Sequence, residues 1–136
     1  MGATPRRRYF NRMMAAVLAY GLSIVLASTV IERHEVTGPL ALAAAVVPGL
    51  AIIGMFWALG LYIVELKDEF MRMLLVRQHL IAMGFTMSVA SVWGFLEMFG
   101  QVDRVDTFWI VIVWALGTLV GGLANRITHG TWGECP

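Results

Sequence analysis

Three histidines, nine carboxylates and one cysteine are the groups of this chain that could ligate a metal, relay a proton or attack an electrophile. A metal centre or a bis-histidine haem needs ligands that converge at one depth. His34 lies in a different polar segment from His79 and His129, and no Cys-x-x-Cys-His or His-x-x-x-His spacing accompanies them. The expectation is solvated or headgroup-contacting imidazoles, with no metal and no cofactor. Cys135 sits between Glu134 and Pro136 with no partner for an internal disulfide. No Gly-x-Ser-x-Gly, P-loop or His-Glu-x-x-His motif supplies a catalytic residue.

Glu97 is the most distinctive carboxylate. It stands one turn inside the end of an apolar run, beside Trp93 and Phe99. An acid there is costly unless it faces a polar cavity or reaches the interface. Reaching the headgroups, or pairing with Arg104 across the following loop, is the simpler expectation. Binding a cation or carrying a proton is the sharper one.

The remaining charge is concentrated in "ELKDEFMRMLLVRQHLIAMGF", residues 65–85. Asp68 and Glu69 precede Arg72 by four and three residues, the favourable order on a helix. With no proline or glycine from Asp68 to His79, the segment predicts a helical extension over about 68–79 that rises into the next apolar run. On it, Asp68, Glu69, Arg72 and Arg77 form a candidate surface for docking another protein. Arg77 can also extend to lipid phosphates.

The elements around these residues are apolar. Of 136 residues 59% are hydrophobic and only 14% charged, with mean hydropathy +0.75. A soluble domain carries about 25% charge, so the composition implies an integral membrane protein. The net charge of +1 gives no reason to expect direct nucleic-acid binding. Four stretches have the roughly 20 apolar residues that a span needs: 13–31, 40–64, 80–99 and 108–124. The first is long for a signal core and three more follow, so it reads as a retained span. Pro48 predicts a bend in the second span. The expected fold is all-α, a single polytopic domain of four transmembrane helices arranged as two hairpins.

Arg6, Arg7, Arg8, Arg12, Lys67, Arg72, Arg77 and Arg126 fall on one side of these spans, against Arg33 and Arg104 on the other. The positive-inside rule then places both termini and the central cluster in the cytoplasm. Tyr9, Phe10 and Tyr62 fall at the inner interface, Trp93 and Trp109 at the outer one. Trp57 and Trp114 are expected deeper, packed between helices.

Close helix packing in lipid needs small residues at four-residue spacing. The first span offers Ala15, Ala19, Ser23 and Ala27. The second offers Ala41, Ala45 and Gly49, then Gly54 and Ala58, the third Gly84 and Ser88, and the fourth Gly117 and Gly121. These faces pack the chain's own helices, or one of them meets a second chain; Gly117/Gly121 is then the first choice. A faint repeat, Arg12–Glu32 against Arg77–Glu97, agrees with paired hairpins.

Val47-Pro48-Gly49, the stretch "ALGLYIVELKDEFMRMLLVRQHLIAMGF" and "WGFLEMFG" together resemble a family of small four-span bacterial inner-membrane proteins with no assigned activity. The resemblance covers residues 45–125. It rests on Glu65, Asp68, Glu69, Phe70 and Arg72 before the third span, and on Gly94, Leu96 and Glu97 at its end. Members are often encoded beside helix-turn-helix regulators, which implies a membrane-held regulatory partner. This chain departs from the family's terminal arginine run, having Arg126 and then "ITHGTWGECP".

Three functions follow, in order. The first is a non-catalytic accessory or regulatory subunit that binds another protein, or its own copies, in or at the inner membrane, with lipids as its other partners. The second is a small oligomeric transporter or channel. The third is a membrane enzyme acting on lipid or quinone through His79, Glu97 or His129.

Overall fold

The computed structural model describes residues 4–30 and 37–132. They are all-helical, with four helices in the order α1 (Pro5–Ser28), α2 (Pro39–Glu65), α3 (Glu69–Met98) and α4 (Trp109–His129). Each is long and apolar enough to cross a membrane, as a multi-pass membrane protein requires. The chain divides into two compact units, Met1–Leu66 and Lys67–Pro136.

In the first unit α1 packs on α2. Thr4 caps α1, its hydroxyl accepting from the Arg7 N–H at 3.4 Å, and Pro5 occupies the first turn, where its missing donor costs nothing. The helix therefore starts well before the apolar run and carries the arginines on its first turns. Pro39 opens α2 in the same way, and α2 continues through Pro48 to Glu65.

The facing residues of α1 differ from the expected stripe. Ser23 is buried and Ala27 half-buried, but Ala15 and Ala19 are exposed; Ala16 and Tyr20 turn inward instead. The reason is the helical period. A strict four-residue spacing drifts by about 40° per step on a helix of 3.6 residues per turn, so a stripe that meets its neighbour at Ser23 has rotated away by Ala15. Opposite Ala16 lies Gly54, where an added Cβ would sit 3.9 Å from the Ala16 Cβ. Ala58 and Leu59 are the buried residues of α2. Trp57, expected between helices, is 67% exposed. It is adjacent in sequence to that inward pair and projects from another face of the helix.

In the second unit α3 packs on α4, with a close backbone approach at two glycines. A Cβ added to Gly117 would lie 2.9 Å from the backbone Cα and O of Ala82, and one on Gly121 would lie 2.9 Å from the Gln78 Cα and run into its carbonyl oxygen. The two helices touch backbone to backbone, which only glycine permits. The Gly117/Gly121 face is thus occupied by α3 and is not open to a second chain. On α3 the inward residues are Met71, Leu74, Ala82 and Thr86. Gly84 and Ser88 instead lie on an exposed face, with nothing within 4 Å of a Cβ built on Gly84.

Two amide side chains fasten this contact. Asn125, fully buried on α4, donates to the Leu74 carbonyl at 2.9 Å, and Gln78 on α3 donates to the Thr118 carbonyl at 2.9 Å. The chain after α4 turns at Gly130, whose φ of 73° is left-handed and whose N–H donates to the Arg126 carbonyl. Trp132 then lies over Gly122, and the Arg126 guanidinium stands 5.3 Å from its ring centre.

Candidate functional site

Polar side chains gather at the two ends of the helices. In the first unit, Arg12 donates to Glu65 Oε1 at 2.9 Å, and Arg8 Nε lies 3.4 Å from Glu65 Oε2. The Tyr9 and Tyr62 rings stack beside them with centroids 4.5 Å apart. Glu65 is therefore a clamp between the start of α1 and the end of α2. In the sequence it stands as one acid of the central cluster, and its arginine partners lie more than fifty residues away, beyond the reach of any local pattern.

In the second unit, Asp68 is the N-cap of α3. Its Oδ1 accepts from the Phe70 N–H at 2.9 Å and the Met71 N–H at 3.1 Å. Glu69 follows in the first turn, where an acid favours the helix dipole. Lys67, Asp68, Glu69 and Phe70 are all exposed, while Met71 and Leu74 turn inward. Arg72 is half-buried. Arg77 donates to the Thr128 hydroxyl at 2.7 Å, and this hydroxyl in turn donates to the Ala124 carbonyl. Of the four proposed docking residues, Glu69 projects outward, Asp68 holds the turn, and Arg77 braces α3 against α4.

His79 and His129 make separate contacts. His79 Nδ1 lies 2.8 Å from the carbonyl of Leu75 one turn earlier, with its ring 5.6 Å from that of Trp114; the His129 ring meets Phe70 edge-on at 5.9 Å. Among the described residues no three histidine, cysteine or carboxylate side chains are grouped to hold a metal. His34 and Cys135 lie outside the described residues.

Glu97 occupies the other end of the second unit. The backbone after α3 closes with Gly100 in the left-handed region (φ 69°), its N–H donating to the Glu97 carbonyl and the Gln101 N–H to the Leu96 carbonyl. This paired closure reverses the chain and leaves an acid in the last helical turn, where the dipole disfavours it. Arg104 answers that charge, its Nε 3.3 Å from Glu97 Oε1. The pairing across the loop expected from the sequence is the arrangement present. The pair lines a cavity of about 380 Å³ between α3 and α4, together with Asp106. Trp93 and Trp109 both line it, followed by Val89 and Val113. This cavity leaves no mark in the sequence, because it depends on the register of α3 against α4.

No family model, curated protein or solved structure matches this chain.

Proposed function

We propose that the chain is a non-catalytic interaction protein of a bacterial inner membrane, an accessory or regulatory subunit that binds another protein through the start of α3. In this reading the four helices span the membrane as two hairpins, with both termini and the α2–α3 turn in the cytoplasm. The Arg12–Glu65 and Asn125–Leu74 contacts support the hairpins, and the arginine and lysine distribution supports the orientation. The resemblance to small four-span inner-membrane proteins supports the setting.

One observation carries the docking surface. The first turn of α3 exposes Glu69 and Phe70, the latter with 48% of its surface open, with Lys67 exposed just before the cap, yet that turn is fixed from below by the Asp68 cap and by buried Met71 and Leu74. An exposed aromatic beside charges of both signs on a locked turn suits recognition, because little ordering entropy is lost on binding.

The test is gentle extraction from native membranes of the unaltered chain and of a Glu69→Lys/Phe70→Ala variant, followed by mass analysis of the complexes. The expected result is a stoichiometric protein partner with the unaltered chain and its loss from the variant, with helicity unchanged. Equal recovery of every companion protein by both forms would refute docking at this turn.

A further inference from the structure

We propose that the cavity at the α3–α4 loop is a binding site for an amphiphile with a single cationic head, the head lying at Glu97 and the apolar body extending between the two helices toward Thr86. Four observations lead there. The volume of about 380 Å³ is in the range of small-molecule sites. Its lining residues include two acids, Glu97 and Asp106, against one base, Arg104, so a positive head is favoured. Two indoles, Trp93 and Trp109, line the same space, and indole faces attract ammonium groups once water is excluded. The deeper wall, made by Val89, Ala90, Ile110 and Val113, is apolar, and the Thr86 hydroxyl already donates to the Ala82 carbonyl at 2.7 Å.

The existing ion pair does not block the site. The Glu97 side chain is 30% exposed and that of Arg104 is 92% exposed. A pair so open to solvent contributes little to stability, so an incoming cation displaces Arg104 at small cost and gains the indoles and the apolar wall. An anionic head would meet Glu97 and Asp106 and is disfavoured. An ammonium head could come from a soluble lipophilic amine or from the ethanolamine of a membrane lipid, whose phosphate would then stay outside the acidic lining. The two share the same chemistry at Glu97 and are distinguished by competition.

The test uses the full chain in a non-ionic detergent, with octyltrimethylammonium as probe, octyl sulfate as its anionic match, and tryptophan fluorescence as the readout. The cationic probe is expected to saturate and octyl sulfate not to. Glu97→Gln, which keeps the shape and removes the charge, should weaken binding about tenfold, the scale of one lost ionic contact. Arg104→Ala, at a loop side chain with little role in folding, should tighten it about threefold by removing the competing cation. A short-chain phosphatidylethanolamine that displaces the probe assigns the site to a lipid headgroup. Failure to displace it assigns the site to a soluble amine. Absence of saturation, equal affinity in Glu97→Gln, or weaker binding in Arg104→Ala would overturn the proposal. The last result would mean that Arg104 binds the ligand directly.

Discussion

The two units use the same element, a pair of apolar helices, and hold it together in different ways. In the first, α1 and α2 pack around Ser23, Ala58 and Leu59, the buried residues within these helices, and the polar fastening is at one end, where Glu65 meets Arg8 and Arg12 and Tyr9 stacks on Tyr62. In the second, contact runs along the helices, with Gly117 and Gly121 against the α3 backbone and Asn125 and Gln78 bonded across. Lipid gives apolar helices no hydrophobic reason to associate, so close approach and polar contacts must supply the attraction. The second unit has both along its length.

The largest effect expected from this contrast is at Gly121. A Gly121→Ala change drives a methyl group into the Gln78 backbone and should cost about 1–3 kcal/mol by overpacking, seen as an earlier midpoint in detergent-denaturant unfolding followed by circular dichroism. If its midpoint matches that of the unaltered chain, the close contact of α3 and α4 is wrong. Next is Asp68→Ala, which removes the acceptor for the Phe70 and Met71 N–H groups. It should cost about 1 kcal/mol, with Asp68→Asn recovering most of the loss. In the first unit Glu65→Gln keeps one acceptor for Arg12 and loses the charge. The expected cost is about 0.5 kcal/mol, reduced further by salt; a loss as large as that of Gly121→Ala would erase the distinction between the units. Smallest is Gly84→Ala, on an open face, where the account predicts no loss and a gain of roughly 0.5 kcal/mol from helix propensity.

How much of this was readable beforehand depends on the range of the interaction. Four apolar helices follow from hydropathy alone, and the start of α3 follows from an unbroken run of helix formers beginning at Asp68. The Glu97–Arg104 pair is local and was also within reach. The stripe on α1 does not extend to Ala15 and Ala19, because a four-residue spacing drifts off the face of a 3.6-residue helix. Gly84/Ser88 and Gly117/Gly121 look alike as sequence, yet only the second pair meets a neighbour. Spacing alone does not say which face of a helix is covered. Asn125 gave no signal as a single polar residue near a span end; its role exists only against the Leu74 carbonyl.

The first turn of α3 is proposed as a recognition surface. The most direct measurement places a photo-crosslinking side chain at Glu69, and in a parallel form at the exposed Gly84, in cells carrying the full chain. The account predicts one protein adduct of defined mass from position 69 and none of that mass from position 84. Adducts to lipid alone at position 69, or the same protein adducts at both positions, would contradict it.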